Sequence, residues 1–254
     1  SNINAREYSD FEVPIFSIEI QKKIIKLLSN VESLKKLRKQ SDDFTKDYLK
    51  SVFAEMFLKK KDEFEEVEIK DVCDTSSGGT PSRVKMEYWK DGTIPWIKSG
   101  DLNKNQITEV NEFITEKGLK NSSAKYIEPE TVLIAMYGAT AGKSSISKIK
   151  ATTNQAVCAI VPKDNNALNK IYLLHWLRAD YKRIVSLSFG GGQPNISQNV
   201  IRSLKIPLPP ITLQKKFAKI VERIERIKDY QKQSGDEINN LFGSLMQKAF
   251  RGEL

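Results

Sequence analysis

Cysteine, histidine and long apolar runs are scarce in this sequence. Among 254 residues there are two cysteines, Cys73 and Cys158, and one histidine, His175. The cysteines stand far apart and form no CxxC, which excludes a disulfide framework and a zinc ribbon. Metal sites need clustered His, Cys or carboxylates. Asp71 and Asp74 flank Cys73, but no second cluster answers them, and His175 beside Trp176 reads as a packed or solvated helix residue. No apolar run approaches the length of a membrane span and no signal peptide opens the chain, so a cytoplasmic location with no membrane contact is expected.

Nucleotide and methyl-transfer signatures are missing too. "GATAGKSS" resembles a P-loop, but Gly138 and Gly142 are one residue too close, Tyr137 stands where the first glycine belongs, and no amphipathic helix pattern follows. Methylation of a base amino group needs a glycine-rich cofactor loop and an Asn/Asp-Pro-Pro-aromatic tetrapeptide. "LPPI" at 208–211 lacks both the polar first residue and the aromatic. What the chain has is positive charge. Forty-one Lys and Arg against 32 Asp and Glu leave a net charge of +9, which favours a polyanionic partner.

It also has a repeat. Sliding the sequence against itself by 193 residues places Pro14 on Pro207, Ile18 on Ile211, Gln21-Lys22-Lys23 on Gln214-Lys215-Lys216, Lys39-Gln40-Ser41 on Lys232-Gln233-Ser234 and Phe57 on Phe250, with no gap. Such an ungapped match over more than about forty residues marks a duplicated structural unit. Each copy reads as a long helix of about 38 residues, or about 57 Å. The prolines hold the entering chain extended, and Thr212 is the expected N-cap of the second helix. Apolar steps of three and four give the seams: Ile24, Leu27, Val31 and Leu34 in one copy, and Phe217, Ile220, Ile224, Ile227 and Leu241 in the other. Both seams break at polar residues, Arg38 and Ser41 against Gln231 and Ser234. The match extends upstream, Asn2-Ile3 on Asn195-Ile196. The chain is therefore expected to begin inside the tail of a preceding module, as part of a longer protein or as a half-unit of a pair.

Residues between the copies have another texture. "IPWI" (94–97), "TVLIAM" (131–136) and "AVCAIV" (156–161) are strand candidates, and 168–187 reads as one amphipathic helix with Ile171, Leu174, Leu177 and Tyr181 on one side. Long loops rich in Gly, Ser and Thr separate them. The expected fold class is α+β: a mixed α/β globule flanked by two long helices in an antiparallel coiled coil. Expected boundaries are 1–18 for the tail and connector, 19–61 for the first helix, 62–207 for the globule and 208–254 for the second helix.

The stretches "SGGTPSR", "YWKDGTIPWIKSGDL", "ITEKGLKNSSAKYIEPETVLIAMYGATAGKSSI", "TTNQAVCAIVP" and "LSFGGGQPNISQNVIRSLKIPLPPITLQKKF", with the terminal "KAFRGEL", resemble the target recognition domain and helices of type I restriction–modification specificity (S) subunits. The resemblance implies a non-catalytic subunit that reads one half of a split double-stranded DNA site. Its helices set the gap between half-sites and hold methyltransferase subunits. S-adenosylmethionine is expected on those subunits, with no cofactor on this chain. Restriction and translocase subunits join the larger complex, and a second copy of the chain or a first recognition domain completes the pair.

Phosphate contacts set position and base-edge contacts set specificity. Lys85, Lys104, Lys120 and Lys125 are further loop cations, and Gln106 and Gln155 further amide candidates. The expected DNA-contacting residues are Thr80, Ser82, Arg83, Lys98, Lys143, Ser144, Asn154, Gln193 and Asn195. Arg suits guanine, and Asn or Gln suits adenine. Asn154 before its strand also fits a turn that satisfies its own backbone. Two other classes remain: a coiled-coil adaptor with a globular head and no DNA role, and a nucleotide-dependent enzyme using Lys143.

Overall fold

A computed structural model describes residues 15–188 and 195–254. In chain order, α1 (Ile18–Phe53) runs into a π turn (Ala54–Leu58) and a 3-10 turn (Lys61–Glu63). The globule follows: β1 (Glu66–Glu68), α2 (Ile69–Val72), β2 (Cys73–Ser77), β3 (Ile94–Ile97), β4 (Gln106–Ile107), β5 (Phe113–Ile114), α3 (Glu116–Lys120), β6 (Tyr126–Ile127), β7 (Val132–Ala135), β8 (Ser144–Ser147), β9 (Ala151–Thr153), β10 (Val157–Pro162), α4 (Lys170–Ala179), α5 (Tyr181–Ser186), α6 (Gln198–Arg202) and β11 (Lys205–Pro207). The last element is α7 (Ile211–Arg251). The chain divides into two compact units: the described residues up to Ser51 with Glu222–Leu254, and Val52–Val221. The second unit takes in more at both ends than the expected 62–207.

Within the globule, β2, β10, β7, β8 and β4 form one sheet in that order, and β5, β3, β9 and β6 form another. Side chains alternate along each strand, which explains the apolar runs. Leu133 and Ala135 of β7 and Val157 and Ala159 of β10 join Ile97 and Ala151 of the second sheet in one buried cluster. Ile94 and Trp96 point the opposite way, into a cluster with Ile114 and Ala124 covered by Trp89 and Leu119. Val132, Ile134, Cys158 and Ile160 are also buried, so β7 and β10 are buried on both faces and read as unbroken apolar segments. Burial pushes both free thiols, Cys73 and Cys158, up to about 12.

Four rings tie the helix ends of this unit to its body. Phe57 lies 4.8 Å from Tyr172 and 5.5 Å from Phe217, and Phe53 lies 5.3 Å from Phe217 (centroid distances). His175 packs edge-on against Phe217 at 5.0 Å. Phe217 and Ile220 thus belong to the globule rather than to the coiled coil. The amphipathic segment expected over 168–187 is broken at Asp180, which ends α4 and accepts from Arg183 at 2.9 Å.

In the helical unit the two helices run antiparallel. Lys35 Nζ sits 3.9 Å from the Phe242 ring centre, while further along α1 the Gln231 amide donates to Ser41 Oγ (3.1 Å) and Thr45 Oγ1 (2.9 Å). Helix starts keep the repeat offset, Ile18 and Ile211. Gln21 Nε2 donates to Phe16 O at 2.8 Å, and Gln214 Nε2 donates to Pro209 O at 2.7 Å. The same side chain therefore folds back, five residues, onto the same backbone carbonyl in each copy. That is the physical reason the connector recurs. Thr212 lies inside the first turn of α7, so it is not the N-cap.

The seams need correction. Val31 and Ile224 are buried and Ile24 and Leu27 half-buried, but Leu34 (45%), Ile227 (45%) and Leu241 (46%) are exposed. The inward stripe keeps the expected polar positions Arg38, Ser41 and Gln231, but between them it moves by one residue, from Leu34 to Lys35 on α1 and from Ile227 to Lys228 and Leu241 to Phe242 on α7. Long polar side chains bury their aliphatic stems there, so apolar spacing alone misplaces the seam. Among the described residues no helix is long and apolar enough to cross a membrane.

Candidate nucleic-acid interface

The loop after β2 is built for close packing. Gly79 N donates to Thr153 O at 2.9 Å. A Cβ on Gly78 would lie 2.0 Å from Thr153 O, and one on Gly79 2.4 Å from Ala124 N, so neither position admits a side chain without movement. Pro81 is buried. The loop is thereby held stiffly, and Thr80, Ser82 and Arg83 project from it. Thr80 Oγ1 donates to Gln155 Oε1. Ser82 is exposed, and its carbonyl accepts from Trp89 Nε1 at 3.1 Å.

Arg83 has three neighbours. Its guanidinium lies 3.7 Å from the Trp89 ring centre and 4.8 Å from that of Trp96, and its Nη2 donates to Glu112 Oε2 at 2.6 Å. Lys98, just past β3, donates to the other carboxylate oxygen, Oε1, at 2.5 Å. Burial pulls the Glu112 carboxyl upward, but the hydrogen bonds from Lys98 and Arg83 outweigh it and hold the group below its ordinary range. Trp96 N donates to Glu112 O at 3.0 Å, and Trp96 Nε1 to Gly79 O at 2.9 Å, so the same residues position loop, ring and carboxylate.

Lys98 precedes a 3-10 turn (Ser99–Asn103) whose far end meets the second basic group. Lys143 Nζ donates to Asn103 Oδ1 at 2.6 Å. A cleft of about 290 Å³ lies beside it, lined by Lys104, Asn105, Gly142, Lys143, Arg178 and Tyr181. Arg178 Nη2 donates to Asn105 O at 2.8 Å. The structure thus brings Arg83 and Lys98 together on Glu112, with Thr80 and Ser82 on the same loop as Arg83, and ties Lys143 to the far end of the turn that follows Lys98. The "GATAGKSS" segment makes a 3-10 turn (Gly138–Thr140) and then β8, a strand rather than the helix a P-loop requires.

Other expected contacts fall elsewhere. Ser144 pairs with Ile134 of β7 and lines the cleft beside Lys143, but it is buried and its hydroxyl has no described partner. Asn154 Oδ1 accepts from Ala156 N at 3.1 Å, closing its own turn. Asn195 is exposed and bridged to Tyr137. Gln193 lies outside the described residues. Glu112, Trp89 and Asn103 were missed in the sequence, where a lone carboxylate, ring or amide carries no motif. Among the described residues no three His, Cys, Asp or Glu side chains are grouped to hold a metal ion.

The family model for the type I restriction modification DNA specificity domain matches residues 61–240, from the last turns before β1 well into α7. The chain belongs to this family. It is similar to the EcoR124I/EcoR124II specificity subunit of Escherichia coli, 27% identical over 237 residues, covering 87% of this chain and 57% of that subunit. It is also similar to the MjaIX specificity subunit of Methanocaldococcus jannaschii, 28% identical over 185 residues, covering 72% of this chain and 42% of that one. The chain thus spans about half the length of these family members. Its fold matches a solved HsdS subunit from Thermoanaerobacter tengcongensis with a TM-score of 0.61 at 20% identity, covering 93% of this chain and 58% of that one. A chain from a structure of type I R-M complex assembly matches with a TM-score of 0.65 at 21% identity, covering 93% and 59%.

Proposed function

We propose that this chain gives a type I restriction–modification complex its DNA specificity. The globule, 62–207, reads one half of a split site in double-stranded DNA. The helices, 19–61 and 208–254, space the half-sites and seat methyltransferase subunits, which bring S-adenosylmethionine and the chemistry, while restriction and translocase subunits join the larger assembly. The chain itself catalyses nothing.

The observation that carries this reading is the family match across the globule. The stiff loop supports it physically. A cation on a rigid loop loses little freedom on binding, and a planar guanidinium suits either a guanine edge or a phosphate. Arg83 and Lys98, which meet on Glu112, and Lys143 and Lys104 beside the cleft are the basic groups we assign to the DNA backbone. Thr80, Ser82, Asn154, Gln193 and Asn195 remain candidates for polar contacts with DNA.

The test is selection from a randomised duplex pool by the chain assembled with its methyltransferase. A defined half-site is expected to enrich, with an affinity that falls steeply as salt rises. No enrichment together with salt-independent binding would leave the coiled-coil adaptor.

A further inference from the structure

A carboxylate lies between two of the candidate DNA-binding cations. Glu112 takes one bond from Arg83 and one from Lys98, on different oxygens, at 2.6 and 2.5 Å. These are the contacts a DNA phosphate would make with the same pair, two cations on two anionic oxygens. Glu130 is shared in the same way, by Lys148 on one oxygen and Lys170 on the other. What sets the Glu112 group apart is that one of its cations is an arginine placed over two rings, 3.7 Å from the Trp89 centre and 4.8 Å from that of Trp96.

We propose that Glu112 is a specificity-determining residue: it occupies the phosphate position between Arg83 and Lys98, withholding both cations from indiscriminate backbone contact and pinning Arg83 on Trp89. The proposal rests on the DNA-binding reading above. Sequence-independent affinity is set by how many phosphates the protein neutralises. A cation already neutralised within the protein adds little to that count. It keeps its remaining donors, since a guanidinium has five N–H groups and Glu112 receives one from Nη2 in the observed bond. An arginine fixed by a ring and a carboxylate presents those donors in one orientation, as base recognition requires, whereas a free one follows the nearest phosphate.

The experiment compares Glu112→Gln with Glu116→Gln, an exposed carboxylate of the same globule for which no ion pair is described. Binding to a random-sequence duplex is measured against salt. Glu112→Gln is expected to bind several-fold tighter at low salt, with the slope of log K against log salt steeper by about 0.9 for each cation released, up to about 1.8. Glu116→Gln should stay near the parent. Glu112→Asp, which keeps the charge but shortens its reach, should fall between and serves if the Gln variant does not fold. Equal slopes for Glu112→Gln and parent, or equal changes of slope in Glu112→Gln and Glu116→Gln, overturn the proposal.

A second readout needs no DNA. Rotation of the Arg83 guanidinium, followed by NMR and assigned by loss of its signal in Arg83→Lys, should be hindered in the parent and free in Glu112→Gln. Unchanged rotation refutes the pinning. A parent without salt-dependent DNA affinity would instead refute the function proposed above, leaving this readout to decide the role of Glu112.

Discussion

Gln214 and Gln21 hold the same place in the repeat, and the structure assigns them different energies. Gln214 is fully buried. Its Oε1 accepts from Asn169 N at 2.8 Å, and its Nε2 donates to Pro209 O at 2.7 Å and to Ala167 O at 3.0 Å. Gln214→Ala removes three bonds and leaves one backbone N–H and two carbonyls without that partner inside the unit. A lost bond costs about 0.5–1.5 kcal/mol, and an orphaned buried group about 1–3 kcal/mol. Water entering the vacated space would relieve part of this, so a loss of about 3 kcal/mol is expected. Gln21 is exposed and, among the described residues, bonds Phe16 O, so Gln21→Ala should cost at most about 1 kcal/mol. Urea denaturation separates the two. Trp89, Trp96 and Trp176 all lie in the globule, so their fluorescence reports that unit, while far-ultraviolet circular dichroism weights the helices. Gln214→Ala should shift the fluorescence transition strongly and Gln21→Ala should leave it in place. A Gln214→Ala loss under about 1 kcal/mol, or equal shifts in both variants, would refute this account of the connector.

In the helical unit, Ile224→Asp buries a charge and should cost about 3 kcal/mol or more, while Ile227→Asp on the exposed side should stay within about 0.5 kcal/mol; equal losses by circular dichroism would contradict the shifted seam. Lys143→Ala should weaken DNA binding and make the salt slope shallower by about 0.9, and titration calorimetry of the parent with ATP and Mg²⁺ should show no binding; a micromolar ATP affinity would overturn the strand-not-helix reading of its loop. For Glu130, burial raises the carboxyl, but the hydrogen bonds and charges of Lys148 (2.6 Å) and Lys170 (3.2 Å) outweigh it and hold the group below 4.5. A depressed folded value means stability that is present at neutral pH and lost as pH falls through that value. The stability gap between parent and Glu130→Gln should therefore close in acid below pH 4.5, and a constant gap would show that the pairs do not contribute.

The repeat was the most legible feature, because an ungapped register fixes both helix starts without reference to packing. The strands at 94–97, 132–135 and 157–162 were also readable, since burial on both faces leaves unbroken apolar runs. The sheet orders were not, because no sequence period records which strands pair. The seams failed at Leu34, Ile227 and Leu241 for a definite reason. Lys35 and Lys228 take the inward places beside them through their aliphatic stems, which apolar spacing cannot see, whereas the polar layer at Arg38, Ser41 and Gln231 was legible as the break in both seams. At the candidate site the glycines of "GGTPSR" pack against Thr153 and Ala124 of the globule itself, a partner that the local sequence does not name. Glu112 was not legible either, because its role comes from three segments that meet only in the fold. Ser144 looked like a loop residue beside Lys143, but it is the first residue of β8, paired with Ile134 and buried.

On the function proposed above, this chain supplies sequence specificity for DNA methylation through its globule. Methylome sequencing of cells that carry the chain with its methyltransferase tests it most directly, run beside cells carrying the same methyltransferase and an Arg83→Ala, Lys98→Ala chain. The account predicts a single split motif methylated with the parent chain, and that motif lost or relaxed in the half read by this globule with the double variant. The same motif, methylated to the same extent with both chains, would contradict the assignment of recognition to the surface around Arg83 and Lys98. Absence of any chain-dependent motif would contradict the function itself.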